Sequence, residues 1–285
     1  MKLLEHIILI PVYNDWRSLN LLLSEINKEL DNKNNVKILI VNDYSTQKVD
    51  IKKNNFSKIK EIKILTLNQN LGSQKAIAIG LDYIKNLKKN FYITIMDGDG
   101  EDSPNEIKRM LKEAENFEDH VITSNRKERK ESLLIKICYK AHLIITFLLT
   151  FKWISFGNFS CFHSNNLKKI FLNNNIWYAY SACIQKNCKF KRLFAKREKR
   201  YFDKSKINFL ALVEHSLRVI GVFYNTVFLM SGIYLILFWF LPFKFSNLIC
   251  LFIIIFNFLL IIIKIKHFKK EKINYVNFKK SIEII

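Results

Sequence analysis

Phe91-Tyr92-Ile93-Thr94-Ile95-Met96-Asp97-Gly98-Asp99-Gly100 is the stretch on which the fold turns. Apolar and β-branched residues run into two carboxylates that stand one residue apart among glycines. That composition predicts a buried strand over Phe91–Met96. Just downstream, Ser103 predicts a helix cap, Pro104 suits the first helical position and Glu106 completes a Ser-x-x-Glu capping box, so a helix is expected over Pro104–Glu115. The aspartates therefore fall in a turn at the carboxyl end of a strand, where open α/β sheets bind ligands. Two carboxylates at this spacing share a divalent cation through oxygen ligands, which suits Mg2+ or Mn2+ holding a diphosphate. Asp and Gly also populate plain turns, so the pair needs context.

Working outward, strands are expected at Ile7–Val12, Val36–Asn42, Ile62–Leu67 and His120–Ser124, and helices at Trp16–Leu30 and Gln74–Leu87. Such alternation means a mostly parallel sheet covered on both faces. No G-x-G-x-x-G follows the first strand, which disfavours a dinucleotide-binding Rossmann domain and a P-loop NTPase.

Beyond residue 130 the pattern changes. Glu131–Phe151 predicts an apolar helix that is buried or interfacial, residues 152–206 read as irregular and basic, and Ile207–Gly221 predicts an amphipathic helix. Val222–Leu241 then runs 20 residues without a charge and Ser246–Ile263 another 18, each about long enough for a hydrocarbon core. Arg218 precedes the first run, Lys264, Lys266, Lys269, Lys270 and Lys272 follow the second, and the short turn holds only Lys244. By the positive-inside rule the pair is a transmembrane hairpin with both ends in the cytoplasm. The alternative is an apolar hairpin buried in a soluble core.

Charge is divided in the same way. Formal net charge is +21, yet residues 1–125 hold 18 basic and 18 acidic side chains, so the whole excess lies in the second half. Because the basic half is also the most apolar, a soluble nucleic-acid binder is disfavoured. The five cysteines, Cys138, Cys161, Cys183, Cys188 and Cys250, form no C-x-x-C pair, which argues against a disulfide framework or structural zinc. The N-terminus lacks the long apolar region and cleavage site of a signal peptide, so the first half is expected in the cytoplasm.

Several segments together resemble the family 2 glycosyltransferases of GT-A fold, in particular the polyprenyl-phosphate glycosyltransferases, which include dolichol-phosphate mannose synthase. Ile8-Leu9-Ile10-Pro11-Val12-Tyr13-Asn14-Asp15 looks like the opening strand and nucleotide loop. Val41-Asn42-Asp43-Tyr44-Ser45-Thr46 looks like D-D-G-S-T, with Asn and Tyr for the first Asp and the Gly. Asn70-Leu71-Gly72-Ser73-Gln74-Lys75-Ala76 matches N-x-G-x-x-x-A, and Met96-Asp97-Gly98-Asp99-Gly100 matches the metal motif. Ser124-Asn125-Arg126 and Arg129, then Gly157-Asn158-Phe159, look like later segments, the last a G-D-F with Asn for Asp. Arg197-Glu198-Lys199-Arg200-Tyr201-Phe202-Asp203-Lys204-Ser205-Lys206 fits R-x-x-R-x-x-G-x-S-K with Asp203 for Gly.

The resemblance implies an α/β GT-A, Rossmann-like, mostly parallel sheet with interfacial helices and a C-terminal two-helix transmembrane hairpin. Its parts are a nucleotide-sugar-binding half at 1–130, an acceptor-binding and interfacial segment at 131–221, the hairpin at 222–263 and a basic tail at 264–285. It implies an inverting transfer of a sugar from a UDP- or GDP-linked donor to a polyprenyl phosphate, by a multi-pass protein of the cytoplasmic membrane that binds no nucleic acid; a homo-oligomer stays open. Pro11, Tyr13, Asn14, Asp15, Asp43, Lys75 and Asp97 would bind the donor, with Asp97 and Asp99 on Mg2+ or Mn2+. Arg126, Arg197, Arg200, Ser205 and Lys206 would hold the acceptor phosphate through charge-assisted hydrogen bonds. Asn158 stands at a catalytic position but an amide is no base; a phosphate monoester, with a second pKa near 6, can attack without one. Open alternatives are a lipid-hydroxyl or glycan acceptor, a non-catalytic membrane-tethered nucleotide-sugar module, and a lipid-sensing adaptor. The aromatics Trp177, Tyr178 and Tyr180 read as core or interface.

Overall fold

A computed structural model of the chain describes residues 5–31, 35–51, 56–87, 90–126, 133–195, 198–202, 209–240, 244–267 and 273–285. β1 (Glu5–Val12), α1 (Trp16–Glu29), β2 (Val36–Asn42), β3 (Ile59–Leu67), α2 (Ser73–Lys85), β4 (Phe91–Ile95), α3 (Glu106–Asn116) and β5 (His120–Arg126) make the first half. All five expected strands form. β1 pairs parallel with β2 and β4, and β2 parallel with β3, so the ends of β1, β2 and β4 open on one edge.

Strand alternation explains both layers. Ile7 and Leu9 pack with Ala76, Ile77 and Leu81 of α2, whereas Ile8, Ile10 and Val12 pack with Leu19 of α1 and with Ile107 and Met110 of α3. Both faces are thus covered, and β1 reads as a continuous apolar run. Helix α2 approaches closely: a Cβ at Gly80 would collide with Leu9 and Val41. The expected capping box does not form. α3 begins at Glu106, flanked by Asn105 with no side-chain cap, and Glu106 pairs with Arg109 at 3.0 Å instead.

The segment read as irregular contains two strands. After α4 (Leu133–Thr150) come β6 (Phe156–His163), α5 (Leu167–Ile170), α6 (Tyr180–Asn187) and β7 (Lys189–Ala195). The full sheet order is β7-β5-β6-β4-β1-β2-β3-β8, where β8 is Lys279–Ile284. β6 escapes sequence reading because Ser160 and His163 are buried on its two opposite faces; the Ser160 hydroxyl is satisfied by the Tyr180 hydroxyl at 2.6 Å, and His163 packs on Tyr92. β7 alternates bases with apolar residues at the sheet edge, where Lys189 and Lys191 reach Asp119 and Glu113.

The apolar pair also differs from expectation. α7 (Phe209–Gly221) and α8 (Tyr224–Phe240) meet at 91°, and α9 (Ser246–His267) is, among the described residues, the helix long and apolar enough to cross a membrane by itself, with mean hydropathy 3.0. The break follows from packing: Val219, Ile220, Val222 and Phe223 bury themselves against Tyr178, Ala179 and Ala182, which turns the chain before α8. Leu251, Phe252, Ile254, Ile255 and Phe258 of α9 stay exposed. A hairpin buried in a soluble core requires the opposite.

The segment after α9 returns to the sheet. β8 pairs antiparallel with β3, and the buried Asp82 of α2 accepts from the Tyr275 amide at 2.9 Å and from Lys85 Nζ at 3.2 Å. Asp82→Ala leaves that amide without its partner, which costs about 1–3 kcal/mol. Urea denaturation should show a lower midpoint at unchanged slope, and β8 amides should exchange hydrogen faster. Unchanged exchange in β8 would show that the strand docks without this bond.

Candidate active site

Three loops meet at the carboxyl edge, and two side chains join them. Asn14 has φ 50, a left-handed conformation that Asn tolerates, and its Oδ1 accepts from Thr46 N at 2.9 Å and Gln47 N at 3.1 Å. Asp43 is buried; its amide donates to Val12 O, and its two oxygens accept from Leu71 N at 2.8 Å and Gly72 N at 2.7 Å. Tyr44 has φ 61, which accounts for the Gly that the resembled motif carries there; here Asn42 Oδ1 steadies the turn by accepting from Ser45 N. Tyr13 and Tyr44 are exposed on the rim, while Pro11 lies buried in β1.

The Asp97–Asp99 turn is held from below and above. Asp97 N donates to Asp102 Oδ2 and Glu101 N to Asp99 Oδ1, each at 3.0 Å. Above it, Tyr201 N donates to Asp99 O and Glu198 N to Glu101 O, and the Tyr201 ring covers Gly100, where φ is +85 and a Cβ would collide with the ring. Arg200 Nη2 lies 3.2 Å from Asp15 and Nη1 3.3 Å from Asp99.

A chain of amides reaches the same carboxylates from α2. Tyr180 N donates to Gln74 Oε1 at 2.8 Å, Gln74 Nε2 to Asn158 Oδ1 at 2.9 Å, and Asn158 Nδ2 to Asp97 Oδ1 at 3.1 Å. Because a backbone N–H only donates, the first bond sets the orientation of both amides. Asn158 must therefore present its NH2 to Asp97.

The profile of the glycosyl transferase family 2 sequences matches residues 7–183. The chain belongs to that family. Glucosyl-3-phosphoglycerate synthase from Mycobacterium tuberculosis, solved with Mn2+, uridine-diphosphate and phosphoglyceric acid, superposes with TM-score 0.53 at 11% identity over 79% of this chain and 78% of that one. The same enzyme with Mg2+ and uridine-diphosphate gives 0.52 at 10% identity over 79% of each chain. At these identities the likeness is one of fold. S. aureus TarS 1-349 is matched at TM-score 0.48 and 12% identity over 78% of this chain, which spans 65% of that one. No curated protein matches the sequence.

In this family 2 glycosyltransferase the structure brings Asp15, Asp97, Asp99, Asn158 and Arg200 together, with Asn14 and Asp43 stitching the loops beside them. Arg200, expected on an acceptor phosphate, pairs with Asp15 and Asp99. Lys75 Nζ lies over the Trp177 ring at 5.1 Å, on the α7 side of the site. Arg126 ends β5, and Arg197, Ser205 and Lys206 lie outside the described residues. Sequence reading missed Gln74; its one signal was an amide side chain in the first turn of α2, buried ahead of the apolar run Ala76–Leu81. Trp177 and Tyr180 are buried as expected of core aromatics.

Among the described residues no three metal-ligating side chains cluster. Asp97 and Asp99 fit a hard divalent cation as a two-carboxylate half-site of oxygen donors, which a diphosphate and water can complete.

Burial raises Asp43 from 3.8 to about 6, against the pull of the Leu71 and Gly72 amides and the Lys75 charge. A carboxyl raised on folding favours the fold when protonated; that contribution is whole below about pH 4 and is lost as pH rises through about 6. Asp43→Asn carries no proton to lose. Thermal unfolding from pH 4 to 7 should therefore show wild type losing stability relative to the variant. Parallel profiles would show that Asp43 titrates normally.

Proposed function

We propose that this glycosyltransferase moves a sugar, with inversion, from a nucleotide-diphosphate sugar to a polyprenyl phosphate at the cytoplasmic face of a membrane. The observation that carries the reading is that a strand-end carboxylate pair and an exposed apolar helix of membrane-spanning length are joined to one eight-stranded sheet. Since β8 pairs with β3, the chain that leaves the sheet after β7 must return to the same side, so any membrane crossing is matched by a return. The bases flanking the apolar helices, Arg218 before and Lys264 and Lys266 after, support that side as cytoplasmic.

On this reading the base lies in the cleft edged by Tyr13, Tyr44 and Asp43, and the diphosphate lies at Asp97 and Asp99. Asp97 and Asp99 would hold a divalent cation there, Mg2+ or Mn2+, which would supply charge stabilisation for the departing nucleotide. Asn158 holds Asp97 by its amide. An Asp at 158 would set two carboxylates against each other and force one to take a proton. The acceptor phosphate is its own nucleophile at neutral pH, which suits a site with an amide at this position. Arg126, Arg197, Ser205 and Lys206 remain proposed acceptor-phosphate ligands, and Arg200 is assigned to the donor side.

Asp99→Ala should abolish turnover and weaken Mn2+-dependent nucleotide binding at least tenfold, read by calorimetry with and without the metal. Full activity in this variant would sink the metal assignment. Mass spectrometry of lipids after incubation with UDP- and GDP-sugars decides the acceptor: a glycosylated polyprenyl phosphate supports the reading, and sugar on another lipid overturns it.

A further inference from the structure

After α9 the chain returns to the carboxyl edge of the sheet, beside the loops of the proposed donor site. β8 runs antiparallel to β3, so its first residues stand at that edge. There Val12 of β1 pairs with Asn42 of β2, Asn42 with Thr66 of β3, and Thr66 with Ser281 of β8, one row across four strands. Asn42 Nδ2 donates to Thr66 Oγ1 at 3.3 Å along the row. The turn after Asn42 carries Tyr44, and the residue ahead of Ser281 is Lys280.

Three contacts fix the returning segment. Phe278 O accepts from Asn68 N at 2.9 Å, Asn277 O accepts from Asn68 Nδ2 at 3.3 Å, and the Phe278 ring centre lies 5.4 Å from that of Trp177. The loop begun by Asn68 continues to Leu71 and Gly72, whose amides hold Asp43. The segment that arrives from the apolar helices is therefore built into the edge where Asp43 ties the loops.

Lys280 is the residue that this attachment sets apart. Leu67 pairs with Lys279 and Thr66 with Ser281, so β8 holds one residue more than β3 at this point, and Lys280 is the extra one. A bulge of this kind re-aims a side chain and is over-represented beside active sites. The Lys280 ammonium lies 5.9 Å from the centre of the Tyr44 ring, within cation–π range. Tyr44 is exposed and keeps its left-handed backbone, φ 61, where glycine carries no strain. An aromatic face is thus held at the loop edge beside a cation.

A base stacked on Tyr44 brings its exocyclic groups to that ammonium. Aromatic side chains stack on any base, so the ring does not discriminate. Lysine does, because its ammonium donates and cannot accept. Uracil O4 and guanine O6 are acceptors, whereas cytosine and adenine carry a donating amino group in the corresponding place.

We propose that Lys280, delivered by the β8 bulge, reads the carbonyl edge of the donor's base stacked on Tyr44, so that the strand formed after the apolar helices selects a keto base, uracil or guanine, over cytosine and adenine. The inference rests on the nucleotide-sugar reading above and adds a recognition residue to its base cleft.

The test titrates UDP, GDP, CDP and ADP into the full chain in detergent micelles with Mn2+, by calorimetry. Wild type should bind UDP or GDP at least tenfold more tightly than CDP and ADP. Lys280→Met keeps the aliphatic stem and removes the donors. It should weaken the preferred keto nucleotide about five- to tenfold and leave CDP and ADP within about twofold, which narrows the preference. Lys280→Arg, which still only donates, should recover part of it. Tyr44→Gly suits φ 61 and removes the ring, so all four nucleotides should bind roughly five- to a hundredfold less tightly. Lys280 is exposed, and unchanged thermal unfolding of its variants separates a loss of binding from a loss of fold. Unaltered UDP and GDP binding in Lys280→Met overturns the proposal. An equal loss for all four nucleotides overturns it too, since Lys280 would then serve the diphosphate that they share. Wild type without a preference for UDP or GDP overturns keto-base selection and leaves the donor site standing, whereas wild type that binds none of the four overturns the donor reading itself.

Discussion

Asp43 carries a carboxylate into the protein interior, and the amides that satisfy it belong to Leu71 and Gly72, immediately ahead of α2. Its own amide is spent on Val12 at the end of β1. One residue therefore ties the ends of β1 and β2 to the first turn of the helix after β3. The start of α2 in turn decides where Gln74 stands. With Gln74 oriented by the Tyr180 amide, Asn158 has one way to face, and Asp97 receives a donor from a fixed direction. The geometry at the carboxylate pair is thus inherited from a hydrogen bond made two loops away. Ionising Asp43 in this setting is costly, which is why burial outweighs two amide donors and a nearby lysine in setting its proton affinity.

Left-handed backbone gathers at the same edge. Asn14, Tyr44, Gly72 and Gly100 all have positive φ, and each lies in a loop that leaves the sheet at its carboxyl end. For Tyr44 that conformation costs roughly 1–2 kcal/mol in an L-residue with a full side chain. The surrounding bonds maintain it: Asn42 and Asn14 bind the backbone and side chains of Ser45 and Thr46 from both sides. Strain held by an over-determined loop is a common property of binding edges. The strap at Glu198–Phe202 adds a second constraint, since Arg200 bridges Asp15 and Asp99 while Tyr201 covers Gly100. Three carboxylates brought close in a cleft repel one another, and a guanidinium among them offsets that repulsion.

The apolar helices are coupled to this domain at both ends. Upstream, Val222 and Phe223 pack against α6 and bend the chain between α7 and α8. Downstream, the chain leaves α9 and becomes an edge strand on β3, with Asp82 of α2 accepting from Tyr275. Because α2 also begins at the edge that carries the carboxylate pair, the helix that positions Gln74 is the helix that anchors the return of the chain.

The chain's sequence alone determined the strands and helices of the first half, because buried parallel strands need continuous apolar runs and their covering helices need one apolar stripe. It also determined that a carboxylate pair stands at a strand end, since the apolar run of β4 stops at two aspartates among glycines, and it determined the apolar length of α9. What it did not reveal were β6, β7 and β8. Their patterns are broken by Ser160 and His163 on β6 and by lysines on β7 and β8, residues that are tolerable only because partners from other elements satisfy or expose them. The placement of Arg200 was equally hidden: a basic motif reads as a phosphate clamp until the fold sets it against Asp15 and Asp99. Gln74 gains meaning only in three dimensions, since local sequence encodes propensity and periodicity, whereas the approach of α2 to β6 and α6 is decided by which apolar faces pack together.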